Sequence, residues 1–438
     1  MNHTQSPESE STFYKPRLGR LLAALRLDVE YSRGDGAVLF SDAAPSCDGG
    51  WQPAEVLDFV GGFGALLLGH SPPPLVAHMR ELLDAGLPMQ TQGARSRPAE
   101  LLARRLVERS GDAYVCVFGN SGAEAVEAAL KHALLETGGR TFITVERGFH
   151  GKTLGALQTI GNPQYLSPFS LDGLSARRVE ANDVEQLCDA FREIAATGRL
   201  AGMIVEPILG EGGVRPLSRE FLQSAKRNCD EHRVPLIVDE CQTGCGRTGT
   251  WLACESAGIR PDYLVLSKSL GGGLTKIAAT LIDRRRYCEE FDWKHTSTFA
   301  ADNHSCSIAL RAVELIDDEL LLRVRQRGAL LRDGLRAIRA EFPDVIADVR
   351  GEGLMLGVEF VPPRESTSFV FRVLTSQDEL LFLVAGYLLA RHRVRVLPTL
   401  SDPWTLRLQP PACVTEQQCA RLLNGLRDVC GILRDGQL

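Results

Sequence analysis

"DYLVLSKSLGGGL", residues 262–274, begins like a strand and ends as bare backbone. Tyr263 to Leu266 suit a buried strand. Lys268 then stands between two serines, and three glycines follow from Gly271 to Gly273. A lysine in that place either reaches out to water along its apolar stem or is held in a dry pocket for its amine. The rest of the chain has to decide between these.

Working outward, similar apolar runs recur at 113–119, 141–146, 201–207, 234–240 and 277–283. Amphipathic helix patterns lie between several of them: "GAEAVEAALKHALLETG", "DVEQLCDAFREIAATG" and "SREFLQSAKRNCDEH". Continuous apolar strands alternating with helices predict an α/β fold with a mostly parallel sheet covered on both faces. From about Asp317 a long basic helix leads into a mix of helix and strand, which reads as a smaller α+β domain. The N-terminal part, with short apolar runs broken by glycine, is expected to join it. The expected division is a disordered tail over 1–15, an N-terminal part of the small domain over 16–75, a large domain over 76–325 and the rest of the small domain over 326–438. A chain of 438 residues is long enough for such a division.

Composition narrows the classes. Hydrophobic residues at 44% and charged residues at 24% suit a soluble globular protein. A net charge of −6 gives no electrostatic case for nucleic acid or an anionic membrane. No apolar run approaches a membrane span, and "MNHTQSPESESTFYKPR" has no apolar signal core. The 12 cysteines contain no CxxC pair and no histidines at ligand spacing, so reduced cysteines in a cytoplasmic protein without a metal site are expected.

Ligands of open α/β sheets bind beyond the carboxyl ends of the strands. After 113–119 come Asn120, Ser121 and Gly122 before a helix, a place that serves either an anion or a plain N-cap. After 141–146 comes "RGFHGKTLG", with Phe149 and His150 in a loop. Glu206 ends the next strand and Glu211 sits in a glycine turn. Asp239 ends an apolar strand, where a carboxylate is costly to bury without a cationic partner. Lys268 follows the run 262–267. An anion cradle, an aromatic, a buried aspartate and a strand-end lysine are the parts that pyridoxal phosphate needs. In that reading Lys268 is the covalent attachment point and Asp239 keeps the ring nitrogen protonated.

With these residues in place the sequence resembles the class III (ornithine/acetylornithine/ω-amino acid) aminotransferases of PLP fold type I, from about "LDFVGGFGALLLGH" to "TLRLQPP". "DECQTGCGRTG" followed by "SKSLGGGL" is the specific signature, and "GFHGKTLGAL" with "EPILGEGG" looks most similar to the putrescine (diamine) branch. The resemblance implies a seven-stranded sheet flanked by helices, a pyridoxal 5'-phosphate cofactor and a homodimer with active sites at the interface. It implies that Lys268 is the Schiff-base lysine and proton shuttle, that Asp239 pairs with the pyridinium nitrogen, and that Ser121, Gly122 and Ala123 bind phosphate. Phe149 and Cys241 then cover the two ring faces, Cys241 standing where valine is usual. Gln242 bonds the ring hydroxyl, and Thr298 reaches the neighbouring subunit's phosphate. Arg407 holds a substrate carboxylate, and Glu211 neutralises Arg407 when the substrate has none.

Two departures bear on substrate. Phe63 replaces a tyrosine of the ornithine branch. Lys152 replaces an arginine, and an ammonium cannot fork onto a carboxylate as a guanidinium does. Both argue against ornithine and fit a diamine, or an aldehyde or ketone on a longer apolar chain. The "LLL" of residues 66–68 lines an apolar tunnel or is simply core. The implied reaction is ping-pong amino transfer between a donor, L-glutamate, and a carbonyl acceptor or primary amine. A decarboxylase, aminomutase or racemase on the same scaffold is the alternative; a non-catalytic binding module is a more distant one. A nucleotide-binding reading of "SLGGGL" lacks a GxGxxG or GxxxxGK[ST] pattern.

Overall fold

The computed structural model describes residues 15–364 and 368–435. The tail expected to be disordered lies, but for Lys15, outside the described residues. At the centre is a seven-stranded sheet. From one edge its strands are Tyr114–Gly119, Ala278–Asp283, Tyr263–Leu266, Leu236–Asp239, Leu200–Val205, Thr141–Val145 and Ser175–Val179. Ala278–Asp283 runs antiparallel to both neighbours, and the other pairings are parallel.

The apolar runs make this sheet because helices cover both faces. Every residue of Leu200–Val205, Leu236–Asp239, Tyr263–Leu266 and Ala278–Asp283 is buried. The expected strand limits hold to within two residues. Ser175–Val179 gave no apolar signal, since exposed and half-buried residues alternate through "SARR" before the buried Val179, as in a charged edge strand. The three expected flanking helices are Gly122–Thr137, Val184–Ala195 and Arg219–Glu231, capped by Ser121, Asp183 and Ser218.

Two smaller sheets lie outside the centre. Arg33–Asp35, Val38–Pro45 and Trp51–Asp58 form an antiparallel set, and Val394–Arg395 adds in parallel to Trp51–Asp58. The N-terminal strands therefore do pair with a strand from near the C-terminus. Ile346–Glu352, Met355–Phe360, Thr405–Leu408 and Leu397–Pro398 form the second set, all antiparallel. The boundaries expected at 75/76 and 325/326 both fall inside helices, Pro73–Asp84 and Asp318–Glu341. Composition changes there while the backbone runs on.

Arg247 of "GCGRTG" ties these pieces together. It is fully buried and donates to the carbonyls of Gly64 (3.1 Å), Leu354 (3.2 Å) and Pro410 (2.6 Å). Burial pulls its guanidinium down to about 9. Among the described residues no single helix is long and apolar enough to cross a membrane.

Candidate active site

The strand ends converge as the open-sheet rule requires. A cavity of about 220 Å³ opens beyond them. One wall is the N-terminus of helix Gly122–Thr137, where Gly122 and Ala123 line the space. Space at 122 is tight: a Cβ there would lie 3.0 Å from Cys241 Sγ. Phe149 and His150 come from the loop after Thr141–Val145. Glu206, Glu211, Asp239, Cys241, Gln242 and Lys268 complete the expected lining, and Gly151 and Ser267 add to it. The last two were passed over in the sequence, although each adjoins a residue that was singled out.

Asp239 lies deepest in polar company. Its Oδ2 is 2.9 Å from His150 Nδ1, and its Oδ1 accepts from the Cys241 N–H at 3.1 Å. Burial raises a carboxyl's pKa, but the His150 hydrogen bond and charge outweigh it here and hold Asp239 below its ordinary value. Glu206 is a loop brace: its two oxygens accept from the N–H groups of Phe149 (2.8 Å) and Gly210 (3.1 Å). Burial pushes its carboxyl up to about 7. Burial lowers the Lys268 ammonium, with Glu211 opposing. An amine held in this way is more readily neutral, as a base must be.

Lys268 also sits at φ 44°, in the left-handed region. Phe63 (φ 55°), Arg147 (φ 65°), Val214 (φ 51°) and Cys245 (φ 54°), in the loops that carry the site, share that conformation. Non-glycine residues there cost about 1–3 kcal/mol each and gather at functional sites.

Glu211 connects the cavity to Arg407. The two form a buried ion pair through Glu211 Oε1 and Arg407 Nη1, and Leu400 N–H donates to Glu211 Oε2 at 3.2 Å. Arg407 outweighs the burial that would raise the Glu211 carboxyl and keeps it low. The Arg407 guanidinium lies 5.0 Å over the Phe63 ring.

Other expected residues stand further out. Ser121 is exposed, and its hydroxyl caps the helix by accepting from Glu124 N–H at 3.2 Å. Lys152 is exposed, with Nζ 4.2 Å over the Tyr165 ring and 6.0 Å from that of Phe149. Thr298 is exposed, and its carbonyl accepts from Gln92 Nε2 at 2.9 Å. It does not line this chain's cavity. Leu67 is core, while Leu66 and Leu68 are half-buried.

A helix N-terminus, a buried ionised carboxylate and a desolvated lysine around one cavity fit pyridoxal 5'-phosphate. The comparisons agree. The family model "Aminotransferase class-III" matches residues 42–430, and the chain belongs to that family. It is similar to the ornithine aminotransferase of Toxoplasma gondii ME49, at 25% identity and TM-score 0.78 over 94% of this chain and 92% of that one. It is similar to the N-acetylornithine aminotransferase of Stenotrophomonas maltophilia K279a, at 29% identity and TM-score 0.72 over 95% and 100%. A transaminase from the marine bacterium Virgibacillus shares the fold, at 20% identity and TM-score 0.79 over 93% of each chain. The protein is a pyridoxal 5'-phosphate-dependent aminotransferase.

Proposed function

We propose that this aminotransferase moves an amino group from L-glutamate to an aldehyde or ketone, or runs the other way with a primary amine such as a diamine as donor and the oxo acid as acceptor, as in the putrescine branch. The observation that carries the reading is the buried Glu211–Arg407 pair beside the cavity that holds Lys268. An arginine whose counter-ion can swing away receives a carboxylate. With Glu211 back in place the same pocket is neutral and accepts an amine.

When bound, pyridoxal 5'-phosphate supplies a carbonyl for the amino group and a ring that stabilises negative charge at the substrate Cα. The chain's own residues do the rest. Lys268 Nζ anchors the cofactor and then moves the proton from the substrate Cα. Asp239, kept ionised beside His150, holds the ring nitrogen's proton. The amides of Gly122 and Ala123, with Ser121, receive the phosphate. Phe149 and Cys241 flank the ring, Gln242 bonds its hydroxyl, and Glu206 fixes the loop that carries Phe149 and His150.

Thr298 acts in the partner subunit of a homodimer. Its exposure supports this, as do the exposed Phe299 and Met89: Phe299 follows Thr298, and Met89 O accepts from Asn303 N–H. A second copy would cover that apolar surface. Phe63 and Lys152, both exposed, are the substrate-side residues of this reading, and the missing tyrosine hydroxyl and guanidinium favour a partner other than ornithine. We place the enzyme in the cytoplasm, in keeping with its free cysteines.

The test is the visible absorbance of the cofactor-loaded enzyme on adding L-glutamate and, separately, putrescine. Loss of the band with both establishes a diamine aminotransferase. Loss with glutamate alone keeps the donor and replaces the diamine by a carbonyl panel. No change with either overturns the proposed donor and partner.

A further inference from the structure

The strand Thr405–Leu408 presents two kinds of residue. Leu406 and Leu408 are fully buried in the apolar core. By the two-residue period of extended chain, Arg407 and Gln409 face the opposite way. Arg407 there meets Glu211 at the cavity wall. Gln409 is also fully buried, and its backbone N–H donates to Phe59 O at 2.7 Å.

Its side chain is different. Neither Gln409 Nε2 nor Gln409 Oε1 has a hydrogen-bond partner among the described residues. The same holds for Arg407 Nη2 and Gln242 Oε1. These atoms belong to one neighbourhood. A Cβ on Gly64 would meet Gln409 Nε2 at 3.1 Å and Gln242 Cγ at 3.4 Å. Gly64 follows Phe63, whose ring lies against Arg407. Buried amides are almost always bonded, so one with both ends open beside an arginine with an open N–H calls for a ligand.

We infer that Gln409 is a specificity-determining residue whose side-chain N–H joins Arg407 Nη2 in receiving the carboxylate of the amino donor. Two N–H groups, one of them cationic, suit the two oxygens of a carboxylate. An amine substrate without a carboxylate offers no such group and gains nothing from Gln409. The inference rests on the reading of Arg407 as the carboxylate site.

Gln409→Met keeps the length of the side chain and removes the amide. Three quantities are read on the cofactor-loaded enzyme: the affinity for glutarate, a dicarboxylate without an amino group; KM and kcat for L-glutamate and for an amine substrate; and the melting temperature. We expect glutarate affinity to fall and glutamate KM to rise by about tenfold. The amine KM and both kcat values stay within about twofold. The melting temperature holds or rises, because an unpartnered buried amide has been removed. Gln409→Glu, which sets a negative charge against the carboxylate, weakens glutarate further. The inference is overturned if both variants bind glutarate within about twofold of wild type. It is also overturned if Gln409→Met lowers the melting temperature and raises both KM values together. Failure of the underlying reading looks different: the wild type then binds no glutarate, and Arg407 is not a carboxylate site. If glutarate binds and weakens as expected while glutamate donates nothing, Gln409 keeps its role and only the identity of the donor changes.

Discussion

The two ends of the central sheet each bury a polar cluster, and only one of them is closed. At the amino ends of the strands, Tyr263 O–H bridges His132 Nδ1 (2.6 Å) and Glu136, and Glu136 also pairs with Arg286. Arg286 goes on to Asp262 at 3.2 Å, and Asp262 accepts the Leu236 N–H at 2.9 Å. None of these side chains has a buried atom without a partner. At the carboxyl ends, Arg407 and Gln242 each have one, Gln409 has two, and Lys268 sits in strained backbone. Both clusters are largely desolvated, Arg286 and Glu136 being half-buried, so burial alone does not explain the difference. The closed cluster holds the strands in place, and the open one is arranged for partners that arrive from outside.

Substitutions should separate the two ends. Lys268→Ala is expected to have the largest effect, a loss of turnover of at least about 1,000-fold in steady-state assays, with the thermal melt of the apoprotein little changed. Asp239→Asn comes next, at about 100-fold or more in turnover, because the neutral amide no longer holds a proton on the ring nitrogen. Tyr263→Phe works on the other axis. It removes the bond to Glu136 Oε2 and strands the His132 N–H, and costs about 1–3 kcal/mol in a denaturant melt, with turnover within about twofold of wild type. A change of turnover in Tyr263→Phe as large as that in Asp239→Asn would erase the contrast.

The smallest effect is one of pH. The Cys288 N–H donates to His132 Nε2 at 3.0 Å, which requires a neutral ring, and burial holds the imidazole down at about 4. An unfolded histidine binds its proton near 6.5, so between that value and about 4 the unfolded chain carries the extra proton. Stability from this site is therefore present above pH 6.5 and is lost as pH falls toward 4. Melts of wild type and His132→Gln across that range should show the acid slope reduced in the variant.

The open end was the more legible in the sequence. Lys268 and Asp239 each follow an apolar run, and a parallel sheet turns that position into a place at one edge. The closed end left no such trace, since His132 and Glu136 lie on a helix and meet Tyr263 only through packing. Gln409 was hidden for a similar reason. Its place on the strand could be counted from Arg407, but its lack of partners depends on what surrounds it. Edge strand Ser175–Val179 was invisible because its arginines break the apolar pattern that marks a central strand. Thr298, proposed to act in a partner subunit, does not line this chain's cavity.

The most direct measurement is the rate at which L-glutamate removes the visible absorbance of the cofactor-loaded wild type, Asp239→Asn and Tyr263→Phe proteins. If only the open end serves the reaction, wild type and Tyr263→Phe lose the band at rates within about twofold, and Asp239→Asn is slower by about 100-fold or more. Equal slowing in Tyr263→Phe and Asp239→Asn would contradict that division, and a wild type that keeps its band would contradict glutamate as the donor.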